Sequence, residues 1–320
     1  MTRRKLGNSG LETGPLVFGG NVFGWTADEV TSFKLLDAFV DAGMNMIDTA
    51  DSYSMWVPGN QGGESETVIG KWLRKSGRRK QVLIATKVGM DMEHREMPPR
   101  INLTRDYIIR EVEESLRRLK IDYIDLYQAH RDDEATPLDE TLEAFDQLVD
   151  EGKVRAIGCS NYSAARLGQA LAVSDDNDYP RYETLQPCYN LYDRTEFEGE
   201  LQQLCLDQDI GVITYFSLGC GFLTGKYRSE KDLEGKPRAY RVRDMLDERG
   251  MRILAALDET AKETGATQAQ ISLAWLLAQP GVTAPIASAT SLAQLEELLG
   301  ATRLELNEAA LQRLDAAGKI

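Results

Sequence analysis

The chain has 320 residues, 42% of them apolar and 28% charged, which is enough for one large α/β unit as readily as for two small domains. Its 37 basic and 51 acidic side chains give a net charge of −14, which disfavours nucleic acid or an anionic membrane as the main partner, since both require a basic footprint. No apolar run follows the opening MTRRKLGNSG, and LAWLLA (273–278) is too short to cross a bilayer, so a cytoplasmic address is expected.

Residues 2–13 read as a short hairpin turned at Gly7-Asn8. Strand-like and helix-like segments then alternate: strand LVFGG (16–20), helix 28–40, strand MNMID (44–48), helix 64–75, strand VLIATK (82–87), helix 104–119, strand YIDLYQA (123–129) and helix 138–150. The second half continues with strand VRAIGCS (154–160), helix 163–173, strand TLQPCYN (184–190), helix 197–208, strand GVITY (211–215), helix 267–278, strand VTAPIA (282–287) and helix 291–299. In 28–40, Val30, Phe33, Leu36 and Val40 recur at helical spacing and predict one buried face. Thr104 with Asp106, and Ser163, are expected helix N-caps. Residues 216–248 form a long polar stretch after the seventh strand, and loops of that length are usually functional.

Eight nearly apolar strands alternating with helices predict a parallel sheet buried on both faces. Eight such units close into a (β/α)8 TIM barrel, here with an N-terminal β-hairpin and a long loop after strand 7. The expectation is a single barrel domain over 1–320. The alternative, a doubly wound sheet, would want GxGxxG after the first strand, and LVFGGNVFGW does not supply it.

Active sites of such barrels lie at the carboxyl ends of the strands. There the sequence places Asp48 and, through a turn, Tyr53; then Lys87, His130, Ser160-Asn161, Gln186 and Tyr215. Taken singly, an acid at a strand end is a cap, a lysine is surface and a histidine is structural. Together they offer a phenol as proton donor, an ammonium expected to lower its pKa, a carboxylate to fix that ammonium, and an imidazole to orient a carbonyl. No GxSxG elbow surrounds Ser160. With only His94 and His130, and with Cys159, Cys188, Cys205 and Cys220 scattered, no metal site is expected. Carbonyl reduction then needs a borrowed hydride donor. GVITYFSLGCGFLTGK (211–226) offers a stacking aromatic, glycines and Lys226, although it is not a P-loop. PIASATSLAQLEELL (285–299) offers a helix start at Thr290-Ser291, suited to phosphate or to plain capping.

IDTADSY, ATK, DLYQAH, IGCSN and TYFSLGCGFLTGK, in this order and spacing, resemble the successive signatures of the aldo-keto reductase superfamily over nearly the whole chain. The long-loop form resembles the branch containing bacterial reductases and potassium-channel β subunits. This resemblance implies a barrel that binds NADP(H), with NAD(H) also open, in an extended pose. It assigns Tyr53 as general acid, Lys87 and Asp48 as the pair that tunes it, and His130 as the residue orienting the carbonyl. It implies nicotinamide contacts from Ser160, Asn161, Gln186 and Tyr215, with Gly20 also among the cofactor positions. Ser217, Leu218, Gly219, Gly221, Lys226 and Arg238 match the diphosphate belt, and Ser288, Thr290, Gln294 and Glu297 the adenosine end. Departures are Ala287, where Pro is common, and the absence of Lys or Arg from residues 282–299, where NADP-selective relatives carry both. Trp25, Trp56 and Arg131 are candidates for the substrate pocket.

The resulting expectation is an NADP(H)-dependent reductase of a small-molecule aldehyde or ketone, with assembly into a homo-oligomer left open. Two other readings share the site: a cofactor-loaded regulatory or sensing subunit with vestigial turnover, and an NAD-dependent sugar or polyol dehydrogenase.

Overall fold

A computed structural model describes residues 2–92, 100–236 and 238–319; His94 lies outside them. Strands β1 (Arg4–Lys5) and β2 (Glu12–Thr13) pair antiparallel across a turn in which Gly7 has φ 57°. Eight parallel strands follow: β3 (Val17–Gly19), β4 (Met46–Asp48), β5 (Leu83–Val88), β6 (Ile124–Ala129), β7 (Val154–Ser160), β8 (Tyr182–Gln186), β9 (Gly211–Thr214) and β10 (Val282–Ala287). They close into a barrel in chain order, with β10 bonded to both β9 and β3. A closed ring leaves no sheet edge, which rules out the doubly wound alternative. The fold is a (β/α)8 barrel.

The helices are α1 (Glu29–Asp41), α2 (Glu64–Ser76), α3 (Arg105–Leu119), α4 (Leu138–Asp150), α5 (Ala164–Asn177), α6 (Glu200–Asp207), α7 (Ala239–Arg243), α8 (Glu248–Thr264), α9 (Gln268–Ala278), α10 (Leu292–Ala301) and α11 (Glu308–Gly318). No helix among the described residues is long and apolar enough to cross a membrane.

Strand periodicity sorts the interior into layers. Val17, Met46, Ala85, Leu126, Ala156, Ile213 and Ala284 form an apolar cluster inside the barrel together with Leu6 and Leu11 of the hairpin. The hairpin therefore closes the floor. It sits so tightly under β9 that a Cβ on Gly211 would lie 2.8 Å from the Gly7 nitrogen. Two to four residues further along β4 to β7, the inward positions switch to Asp48, Lys87, Gln128 and Ser160, and β8 adds Gln186, all buried. Outward residues such as Phe18, Ile84, Tyr127 and Leu185 join the larger core under the helices. Apolar below and polar above, the barrel is chemically one-sided.

Several local expectations change. The sixth barrel strand ends at Gln186 rather than Asn190, because Pro187 has no N–H to continue the ladder; beyond it Cys188 makes only an isolated bridge to Tyr215. Helix α1 is capped by Asp28, and its buried face is Ser32, Leu35, Leu36 and Phe39, with Phe39 edge-on to Phe18 at 5.4 Å. Val30 is 64% exposed. Ser163 caps α5 through Arg166 N, whereas the Thr104 side chain turns to Asn102 instead of capping α3. The stretch 216–248 contains two 3-10 turns, Gly219–Thr224 and Glu230–Leu233, and the short α7. The periodic segment behind it is α8, which packs against α9 and α11; α8 and α11 both fall outside the eight expected helices.

Candidate active site

The polar layer is assembled by backbone constraints at the strand ends. Beyond β4, Thr49 N continues the sheet to Ala85 O, and its hydroxyl bonds Ser65 Oγ at 2.8 Å. The chain then reverses through Ser54, held at φ 74° with its hydroxyl on Phe23 O at 2.7 Å. This return brings Tyr53 back above Asp48. Tyr53 Oη lies 3.3 Å from Asp48 Oδ2 and 2.9 Å from Lys87 Nζ. Lys87 Nζ donates to Asp48 Oδ2 at 2.7 Å and to Thr49 O at 2.9 Å, with both ion-pair side chains 1% exposed. The His130 ring stands edge-on to Tyr53 at 6.0 Å, with Nδ1 3.5 Å from Ser52 Oγ.

Burial, followed by the Asp48 charge, pushes the Tyr53 phenol well above its ordinary pKa. Burial and the Asp48 carboxylate thus oppose the lowering expected from the Lys87 ammonium. Burial lowers the Lys87 pKa against the pull of Asp48. Burial, Lys87 and Arg131 drive His130 far below its usual range, so the imidazole is neutral. A neutral imidazole keeps one ring N–H as a donor, and Ser52 Oγ lies next to Nδ1.

The strand ends of β7 and β8 continue the network. Ser160 Oγ donates to Gln186 O at 2.7 Å. Asn161, in the left-handed region at φ 59°, donates to His130 O at 2.9 Å and accepts from Tyr215 Oη at 2.6 Å. Gln186 Nε2 donates to Asp48 Oδ1 at 2.8 Å. Tyr215 is thus held upright beside an amide cluster, a donor and acceptor set suited to a carboxamide next to a face suited to a flat ring. A nicotinamide fits this set.

The long loop after β9 supplies the rest. Ser217 is buried with its hydroxyl on Thr214 O at 2.9 Å, beside half-buried Leu218. Gly219 and Gly221 adopt φ 53° and 97°, but their amides bond Phe216 O and Leu218 O inside the turn. What this belt offers an anion is therefore charge. Lys226 lies within electrostatic reach of Lys236, Arg238 and Glu297 on α10, and burial together with the two neighbouring cations lowers its pKa. None of these three cations forms an ion pair among the described residues. The Arg238 guanidinium sits 5.2 Å over the Trp25 ring, which clasps the loop to the β3–α1 connection. Across the mouth, the Ser288 hydroxyl contacts Gly19 O and Asn21, each at 2.7 Å, and Gln294 Oε1 accepts from Thr290 N and Oγ1 at 2.8 and 3.0 Å. Gly20 lies where a Cβ would meet Ser65 Oγ at 2.8 Å and Asp48 O at 3.0 Å.

Of the pocket candidates, Trp25 and Trp56 meet edge-on at 5.5 Å, and Trp56 meets Tyr53 at 6.1 Å, forming one aromatic wall. Arg131 is exposed directly after His130. Sequence reasoning missed Gln128, which lies 3.5 Å from Asp48 and accepts from Gln186 at 3.3 Å. Strand alternation could have found it, two residues before His130. It also missed Ser52, for which no sequence signal existed, and Asp51. Asp51 is 1% exposed, and among the described residues its carboxyl has no side-chain partner and at most a weak contact with the Ser52 amide. Burial first, then Glu66 and Glu111, raise its pKa strongly.

The Aldo/keto reductase family model matches residues 15–319. The chain is 35% identical to Aldo-keto reductase YhdN of Bacillus subtilis, covering 96% of this chain and 90% of that protein. It is 32% identical to Aldo-keto reductase yakc of Schizosaccharomyces pombe, whose name carries NADP(+), over 98% of this chain and 90% of that one. It is also 32% identical to a probable voltage-gated potassium channel subunit beta of Arabidopsis thaliana, over 93% and 90%. A closed barrel with a buried acid–ammonium pair under a half-buried phenol, above an apolar floor, is the architecture of a barrel oxidoreductase. The chain belongs to the Aldo/keto reductase family, whose members are oxidoreductases working with nicotinamide cofactors.

Proposed function

We propose that this chain reduces an aldehyde or ketone to an alcohol with NADPH, Tyr53 donating the proton. The observation that carries this reading is Lys87 Nζ lying 2.9 Å from Tyr53 Oη and 2.7 Å from Asp48 Oδ2 within a layer closed to water from below. A bound reduced nicotinamide would supply hydride to the carbonyl carbon. Neutral His130, through its ring N–H, orients and polarises the carbonyl oxygen. Tyr53 Oη then gives that oxygen its proton, and the Lys87 ammonium balances the phenolate left behind. Asp48 holds Lys87 in place, while Gln186 and Gln128 hold Asp48. Ser160, Asn161, Gln186 and Tyr215 would seat the nicotinamide. Lys226, Lys236 and Arg238 supply the positive charge that 282–299 lacks, which supports NADP(H) over NAD(H).

The test is multiple-turnover oxidation of NADPH, followed by its absorbance, with a reactive aldehyde such as 4-nitrobenzaldehyde. Many equivalents oxidised per enzyme is the expected result. A chain that binds NADPH or NADH yet turns over neither would instead be a cofactor-loaded regulatory subunit.

A further inference from the structure

We propose that the physiological substrate is a carbonyl compound bearing an anionic group, held by the guanidinium of Arg131 while its apolar body lies against Trp56 and Trp25. This inference rests on the carbonyl-reductase reading above and extends it to a substrate class.

The argument begins with how Arg131 is presented. His130 N bonds Val88 O at 2.8 Å and His130 O accepts from Asn161, so the backbone before Arg131 is fixed between the ends of β5 and β7. Arg131 therefore leaves the barrel at the mouth, exposed, within electrostatic reach of both His130 and Tyr215. Asp132, Asp133 and the exposed Glu134 follow it in the sequence, and the two aspartates are already engaged. Asp132 takes both oxygens to Arg166 Nε at 2.8 and 2.9 Å. Asp133 accepts from Leu103 N at 2.9 Å, Thr136 Oγ1 at 2.7 Å and Ala135 N at 3.2 Å. Arg131 forms no ion pair among the described residues.

The same holds across the opening. Arg241 lies 4.7 Å over the Phe216 ring, beside Tyr215, and it too has no ion pair among the described residues. Glu196 is the carboxylate that reaches Tyr215 from the β8 side and partly offsets these charges. In a chain of net charge −14, a mouth rimmed by unpaired guanidiniums attracts anions and disfavours cations. The planar fork of arginine binds carboxylate or phosphate in bidentate fashion. Trp56, 40% exposed and edge-on to Tyr53 at 6.1 Å, offers an apolar face beside the phenol.

The experiment compares kcat/KM, with NADPH, for 4-carboxybenzaldehyde, 4-formylphenyl phosphate and the neutral methyl 4-formylbenzoate. The parent chain should favour at least one anionic aldehyde over the ester by about 10- to 100-fold, the worth of one charge-assisted hydrogen bond. Arg131→Gln should bring that ratio towards one, mainly through KM, and Arg131→Lys should keep part of it. Quenching of tryptophan fluorescence by NADPH checks that each variant retains its folded cofactor site. The phosphate and carboxylate arms identify the favoured anion, and either one sustains the proposal. It is overturned if the parent reduces the ester as well as both anions, or if Arg131→Gln leaves the ratio intact, and in both cases carbonyl reduction itself stands. If the parent reduces none of the aldehydes, both readings fall together.

Discussion

The Tyr53 phenol lies 2.9 Å from the Lys87 ammonium and is nonetheless harder to ionise than a free tyrosine, because burial and the Asp48 carboxylate outweigh that contact. For a proton donor this is the useful direction, since the site stays loaded until well into the alkaline range. Tyr53→Phe should lower kcat by at least about 10²-fold, the lower range for a positioned general acid, with cofactor affinity little changed. The alkaline limb of kcat/KM should lie above the ordinary phenol value of about 10. Lys87→Met leaves Asp48 buried without its cation and should be as severe. A Phe variant with near-parental turnover would remove Tyr53 from the acid role.

His130 provides a separate test. Burial and two nearby cations hold it neutral, so protonation of its ring should not shape activity across the usual histidine range. The pH profile of kcat/KM should show no inflection near 6.5. Histidine NMR titration is the direct check, and a His130 resonance that titrates near that value would contradict the neutral donor.

Asp51 predicts a pH-dependent stability. Its folded pKa is raised, so the native state holds the proton after the unfolded chain has lost it. Stability from this group is therefore intact below the unfolded carboxyl pKa of about 3.9 and falls as pH rises above it, by up to about 1.4 kcal/mol per unit until the folded pKa is reached. Asp51→Asn removes that loss. The gain in Tm of the variant over the parent should be larger at pH about 8 than at pH about 5. A gain independent of pH would mean that Asp51 is ionised in the fold.

Cofactor choice can be moved from either side of the mouth. Gln294→Arg places a guanidinium at the start of α10, where residues 282–299 have no cation. The NADPH-to-NADH ratio of kcat/KM should rise by the equivalent of about 1.5–3 kcal/mol, the range of a hydrogen bond to a charged group. Replacing Lys226 or Arg238 with Ala should lower the same ratio. An unchanged ratio in all three variants would place the ribose phosphate elsewhere.

The barrel was legible because its strands are short, apolar and regularly spaced, and the strand-end residues Asp48, Lys87, His130 and Gln186 followed from register alone. Phenol acidity was not legible. Its sign depends on the balance of burial, Asp48 and Lys87 at distances that only the folded turn 49–53 sets. Ser52 escaped for the same reason, since its contact with His130 joins two strand ends far apart in sequence. Helix α8 was a different kind of miss, because Ile253, Leu254 and Leu257 carry the helical spacing and lay just beyond a stretch read as polar loop.

Leu6 and Leu11 give the barrel a sealed floor, and that seal governs traffic. Among the described residues the floor offers no way in, so ligands approach Lys87 from the carboxyl ends of the strands. The hairpin, remote from every reacting atom, thereby sets the side from which the site is filled and emptied.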